Sequence, residues 1–267
     1  MMSGRQGLLW LAAALFLLPL LVVVLTSGWP PGPVTSFQLW PPGGWSWDSY
    51  LQAWQNGYFI RAFGNSTVVA LVVTGLQILT SALAGYALAR IAFPGQNLVL
   101  LLVLASLVIP FQLLVIPIFM ILRWGHLINT FGALILPTAA NGFGIFLMRQ
   151  FFLTIPVSLE EAAALDGASR WEILWQILLP LSRPALVTLF LFTFIGEWND
   201  LFKPLVFTTK PELITVQLAL ANFQEQFTND WPLMMAAIVI STIPVALVFI
   251  AGQKQFIRGI ATTGVKN

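Results

Sequence analysis

The sequence has no cysteine and a single histidine, His126, among its 267 residues. The first absence excludes a disulfide framework, thiolate chemistry and a Cys-ligated metal site. The second excludes a histidine cluster and an H-E-x-x-H zinc site. Charge is nearly as scarce, with 12 Lys and Arg and 10 Asp and Glu making up 8% of the chain. A soluble domain carries about 25% charged residues, so these side chains are too few to coat a water-facing surface. That excludes an ordinary soluble enzyme, a coiled coil and a secreted disulfide scaffold. A disordered chain is excluded by 58% apolar residues and a mean hydropathy of +0.87. What remains is a protein whose main solvent is lipid. The net charge of +2 is too small to point to nucleic acid as a partner.

Apolar residues are what the chain has in quantity. A hydrocarbon core about 30 Å thick needs roughly 20 of them in a helix. Uncharged intervals predict six transmembrane helices, at about 8–26, 63–89, 97–122, 130–150, 178–201 and 231–252. The expected fold class is therefore an all-α membrane protein, one transmembrane domain over 1–267. The fifth interval is short, only Pro184 to Gly196 between Arg183 and Glu197, so the span is read as reaching back to Leu178 with Glu197 in its outer part. The first span has an apolar core of about 18 residues. It exceeds the usual signal-peptide core of roughly 7–15 and lacks a clean small-x-small site, so it is read as a retained helix. Proline and glycine interrupt most spans (Pro19, Gly75, Pro110, Pro117, Pro137, Gly142, Gly144, Pro244), which predicts kinked helices.

Six spans place both termini on one side. With that side cytoplasmic, Arg5, Arg90, Arg149, Arg170, Arg183, Lys254, Arg258 and Lys266 lie inside, and Arg61, Arg123, Lys203 and Lys210 outside. The positive-inside rule favours this N-in, C-in orientation. The segment 27–61 is then extracytoplasmic. Its Trp29, Trp40, Trp45, Trp47 and Trp54 suit interfacial anchors or a packed cap.

The most water-loving inner stretch is the loop 155–180 between spans four and five. Six charged residues fall between Pro156 and Arg183. Ser158-Leu159-Glu160-Glu161 reads as a capping box opening a short helix, and Asp166-Gly167 as its end. Ser169-Arg170-Trp171-Glu172 is a second capping box opening a helix that runs into the fifth span. The alanines 162–164 leave one side of the first helix thin, a shape suited to a groove on another protein. An interfacial helix lying on the membrane is the alternative, although the basic polar face of such helices is missing.

Glu161-Ala162-Ala163-Ala164-Leu165-Asp166-Gly167, nine residues, then Ile177-Leu178-Leu179-Pro180 fits E-A-A-x3-G-x9-I-x-L-P. This resembles the signature loop of permease subunits of binding-protein-dependent ABC importers. Glu197-Trp198-Asn199-Asp200 is similar to the W-N-D segment of carbohydrate importers, and Gly259 through Lys266 to the G-x-x-x-x-G-V-K tail of the maltose-type second permease. The resemblance covers essentially the whole chain, strongest from Ala62 onward. It implies a multi-pass prokaryotic inner-membrane protein that is a transport subunit and not an enzyme. It implies as partners a second permease of a different chain, two cytoplasmic ATPases and an extracytoplasmic solute-binding protein. ATP and Mg would sit on the ATPases, with no cofactor and no metal on this chain. Glu161, Ala162, Ala163, Asp166 and Gly167 would couple to the ATPase, and Gly264, Val265 and Lys266 in the tail 253–267 would touch it.

The absence of G-x-x-x-x-G-K-[ST] agrees with energy supplied by a partner. Polar groups at membrane depth are Asn65, Thr74, Gln77, Thr80, Ser81, Gln112, Asn141, Thr188, Thr193 and Glu197. Isolated Ser and Thr bond their own helix or a neighbour. Gln77, Asn141 and Glu197, with Asn199 beside it, are the candidates to line a solute pathway, because a buried amide or carboxylate is costly elsewhere. Sugar oligomers, polyol-glycosides, glycerol-phosphate esters, polyamines and anions are the solutes to be separated. An intramembrane enzyme lacks Ser with His or paired Asp, and a passive channel has no use for a docking helix.

Overall fold

A computed structural model describes residues 4–33, 40, 44–227 and 229–264, of which 4, 5 and 256–264 by backbone alone. Among the described residues all regular structure is helical. In chain order the helices are α1 (Gly4–Ser27), α2 (Asp48–Asn56), α3 (Phe59–Arg90), α4 (Gln96–Ser106), α5 (Val115–Trp124), α6 (Phe131–Ile135), α7 (Gly142–Thr154), α8 (Val157–Leu165) and α9 (Arg170–Glu172). A wide turn over Ile173–Leu178 joins α9 to α10 (Leu179–Leu181). Then come α11 (Arg183–Trp198), α12 (Phe202–Phe207), α13 (Val216–Gln226) and α14 (Trp231–Gly264).

Three stretches, Gln6–Ser27, Phe59–Arg90 and Trp231–Gln255, are long and apolar enough to cross a membrane. Three bent pairs meet the same test together: Gln96–Ser106 with Phe111–Trp124 at 96°, Phe131–Thr138 with Gly142–Thr154 at 43°, and Arg170–Leu181 with Arg183–Trp198 at 77°. Counted as one span each, they bring the number to six. Pro110 and Pro137 stand at the first two bends. Proline has no N–H to donate to the preceding turn, which is where a helix gives way. At the third bend Pro184 is the second residue of α11, where the missing N–H costs nothing. The 77° bend at Ser182 thus falls inside the fifth span as read from the sequence, with Leu178 in the arm before the bend and Arg183 opening α11. Its 16 residues measure about 24 Å at the helical rise. Pro19 and Pro244, in contrast, lie inside unbroken helices.

The chain divides into two compact units, Met1–Gly64 with Ile214–Pro244, and Asn65–Leu213 with Val245–Asn267. In the first unit α1 leaves Trp10 and Phe16 exposed along its apolar length. Its C-terminal end is fastened to α2. The Ser27 and Tyr50 hydroxyls share a 2.6 Å hydrogen bond, and the Ser49 hydroxyl donates to the Trp29 carbonyl at 2.7 Å. Trp29 is buried while Trp40 and Trp47 are exposed, so the tryptophan-rich segment is part packed cap and part open surface. Phe59 sits fully buried between Trp54 and Phe223.

The second unit holds the larger core, which includes Tyr86 of α3, Met148 and Phe152 of α7, Leu174 and Leu178 of the bent arm, and Leu189 of α11. Gly85 lets α3 and α7 meet at the backbone. A methyl group there would come within 2.9 Å of the Arg149 amide nitrogen, which cannot turn aside as a side chain can.

Candidate functional site

A cavity of about 680 Å³ in the second unit is bordered by α3, the bend after α4, the bend before α7, and α11. Gln77, Thr138, Asn141, Phe143, Phe192 and Glu197 are among its lining residues. The bend before α7 places Asn141 as the N-cap of that helix, its Oδ1 accepting from the Gly144 amide at 2.7 Å. Asn141 Nδ2 donates to Gln77 Oε1 at 2.5 Å, and Thr193 Oγ1 of α11 donates to the same oxygen at 2.7 Å. Gln77 Nε2 donates to the Thr138 carbonyl at 2.6 Å. One glutamine, 3% exposed, thus joins α3, the bend and α11, and its polar groups are partnered as burial requires. Each amide nitrogen keeps a second hydrogen, and the Phe143 and Phe192 rings meet edge to face at 5.4 Å along the wall.

Glu197 lies near the C-terminal end of α11. Lys203 of α12 places its ammonium 2.5 Å from Glu197 Oε2, 3.4 Å from Asp200 Oδ2 and 2.8 Å from Thr138 Oγ1. Lys203 is 3% exposed, so a lysine counted by sequence among the outer charges is a buried partner of Glu197. Asp200 Oδ1 accepts from the Phe202 amide at 2.9 Å, which opens α12. Trp198, fully buried, stacks on Phe194 at 5.8 Å. Asn199 is the exposed C-cap of α11 and does not line the cavity. Thr188 and Thr80 bond carbonyls of their own helices, at Pro184 and Leu76. Thr138 and Thr193 line the cavity and Lys203 bonds Glu197 of its wall; of the three, only Thr193 is named by the sequence reading as one of the polar groups at membrane depth. The signal for Lys203 was present: a carboxylate at membrane depth requires a cation within reach, and Lys203 stands six residues on.

The second candidate site is the unit α8, Gly167, α9. Helix α8 begins at Val157 with Pro156 as its N-cap, and no side chain caps it. The capping box expected at Ser158 does not form. Pro156, held near φ −58° with ψ 131°, starts the helix two residues too early for that box, and Ser158 is already helical. The end is as expected. Gly167 takes φ +90°, its amide donates to Ala164 at 3.1 Å and the Ala168 amide to Ala163 at 2.9 Å. This is a Schellman motif, closed by Ala168 and Ala163 against the core. The second box also forms: the Ser169 amide donates to Glu172 Oε2 at 2.8 Å and the Glu172 amide to Ser169 Oγ at 3.3 Å. Glu161, Ala162, Asp166 and Gly167 are exposed, while Ala163 turns inward and packs on the core, letting α8 lie close. Leu165, 90% exposed, with Val157 and Leu159, gives this face an apolar character that the sequence reading had not singled out. In the tail, Gly264 ends α14, and Val265 and Lys266 lie outside the described residues. Among the described residues no cluster of three His, Asp or Glu could hold a metal ion.

Residues 77–262 match the family described as binding-protein-dependent transport system inner membrane component. The chain is 35% identical over 210 residues to the arabinooligosaccharides transport system permease protein AraQ of Halalkalibacterium halodurans, covering 79% of this chain and 75% of that one. It is 31% identical over 260 residues to the diacetylchitobiose uptake system permease protein NgcG of Streptomyces coelicolor, covering 96% and 86%. Its fold is similar to a chain of a bacterial ABC transporter involved in the import of the acidic polysaccharide alginate, with a TM-score of 0.81, 26% identity, and 94% and 95% of the two chains covered.

Proposed function

The chain belongs to the family of binding-protein-dependent transport system inner membrane components, and from that premise we propose that it is a pathway-forming permease subunit of an ATP-driven importer for a sugar or sugar-like solute. It spans the membrane six times with both termini in the cytoplasm. It works with a second permease, two cytoplasmic ATPases and an extracytoplasmic solute-binding protein. The observation that carries the coupling role is the α8, Gly167, α9 unit. It is a short helix opened by Pro156 and closed by the Gly167 turn, exposing Glu161, Ala162, Asp166 and Leu165 on a chain without a phosphate-binding loop. Such a face suits a groove on a partner that binds ATP. Closure of that partner moves α8, and a bundle with discrete bends at Pro110, Pro137 and Ser182 answers by exchanging outward and inward openings of the cavity.

Sugar is favoured by the relatives whose names carry an oligosaccharide, and by the cavity. Amide hydrogens from Gln77 and Asn141 beside phenylalanine rings suit hydroxyls and the apolar faces of a neutral ring. The cluster Glu197, Asp200 and Lys203 carries more negative than positive charge, which disfavours an anion. Purification of the whole transporter with its binding protein, followed by mass spectrometry of the bound ligand, tests the solute class. A neutral oligosaccharide or glycoside is expected; phosphate, sulfate or a polyamine would overturn the assignment.

A further inference from the structure

We propose that Arg90 is the positioning residue that makes α8 move as one body with the inner ends of α3 and α7, an inference that rests on reading α8 as the ATPase-docking helix. Arg90 is the last residue of α3. Its Nη2 donates to the Phe152 carbonyl at 2.8 Å and to the Ile155 carbonyl at 2.6 Å. These carbonyls belong to the last turn and the C-cap of α7, where a helix leaves its acceptors unsatisfied and favours a cation. The Nε of the same guanidinium lies 2.5 Å from Glu160 Oε1, in the first turn of α8. That approach is off the N–H axis, a charge contact and not an aligned hydrogen bond. Both side chains are nearly buried, at 10% and 12% exposure. One planar group therefore holds three helices, a task its rigid fork of donors suits and an ammonium does not.

The ends of α3 and α7 are tied a second time, since Arg149 Nε donates to the Leu88 carbonyl at 3.1 Å. Helix α8 follows α7 through extended Ile155 and Pro156, at ψ 128° and 131°. This link sets direction but does not by itself prevent the short helix from swivelling. Glu160 supplies the constraint. The two adjacent acids divide their work: Glu161 points outward, and Glu160, about 100° round the helix, points at Arg90. Pulling α8 away from α3 would strand a buried charge, which is costly. A force applied to the exposed face of α8 is thereby carried into α3, the helix that also bears Gln77 of the cavity.

The test uses the complete transporter with its ATPases and binding protein in proteoliposomes, measuring solute imported per ATP hydrolysed. Four variants are compared: Arg90→Gln, Arg90→Lys, Glu160→Gln and, on the outer face of α8, Leu165→Asp. Glu160→Gln leaves the carbonyl contacts to α7 intact and carries the test if Arg90→Gln assembles poorly. Glu160→Gln and Arg90→Gln are each expected to lower solute per ATP at least tenfold with hydrolysis retained. Arg90→Lys is expected to restore it only in part. The absence of native cysteine allows spin labels at Ser158→Cys and Asn97→Cys, and their distance distribution is expected to broaden in Glu160→Gln. If Leu165→Asp uncouples transport while Glu160→Gln keeps the wild-type ratio and a narrow distribution, the role of Arg90 is overturned and the docking reading stands. If Leu165→Asp also transports with the wild-type ratio, the docking reading fails, and this inference with it.

Discussion

Gly167→Pro is expected to abolish solute uptake while the assembled transporter continues to hydrolyse ATP. Gly167 holds φ +90°, in the left-handed region, and proline is fixed near −65°. The substitution also removes the amide that donates to the Ala164 carbonyl, one of the two hydrogen bonds closing α8. Even alanine would carry a strain of roughly 1–3 kcal/mol there, and proline more. The strain falls on the turn and not on the bundle, because the space around Gly167 is open to 4 Å. Helix α8 then loses its last turn, and α9 is re-aimed relative to it. The check is paired: thermal unfolding of the purified complex, expected near wild type, and uptake against hydrolysis in proteoliposomes, expected to separate. A Gly167→Pro complex with wild-type ATP-coupled uptake would contradict the coupling role of this loop.

Lys203→Met acts on stability and not on coupling. The ammonium is buried and meets Glu197, Asp200 and Thr138. Methionine keeps the volume and deletes the charge, leaving the nearly buried Glu197 carboxylate without its cation. Breaking one side of a buried pair costs about 3–5 kcal/mol, enough to lower folded protein in the membrane severalfold. Adding Glu197→Gln to Lys203→Met is expected to recover most of that loss, since an amide accepts from Thr138 without needing a cation. Asp200 tolerates the change better, being partly exposed and engaged at the start of α12. Unfolding midpoints of the single and double variants check this; equal stability of Lys203→Met and wild type would mean the pair carries no weight.

The positions of the apolar helices were legible because lipid demands length and hydropathy, and both are linear in sequence. The breaks were only half legible. Pro19, Pro110, Pro137 and Pro244 look alike as residues, yet the chain bends at two of them. At Pro137 a side chain takes over the freed backbone, Asn141 capping α7. In α1 and α14 the helix simply continues past one missing donor. The 77° turn at Ser182, inside the fifth span, was not legible, because hydropathy and length carry no mark of a change in direction. In the loop, Gly167 and the Ser169–Glu172 box follow from local chemistry alone and stand where the pattern puts them. The Ser158 box fails because Pro156 competes for the same helix start, and spacing does not rank the two. The inward turn of Ala163 and the pairing of Glu160 with Arg90 depend on packing between segments far apart in sequence. In the cavity, Gln77, Asn141 and Glu197 were legible as polar groups too costly to bury idly. Lys203 was legible only through Glu197's need of a cation, because taken alone a lysine after a span reads as a loop charge until the fold buries it.

As proposed, this chain is a pathway that opens only when a partner hydrolyses ATP. Proteoliposomes holding both permeases, with the ligand-loaded binding protein outside and the ATPases inside, measure that directly. Solute should accumulate when ATP is enclosed, and accumulation should cease when the ATP is omitted or the ATPases are stripped away. Flux that continues unchanged without ATP would show that the pathway is not driven by the ATPases.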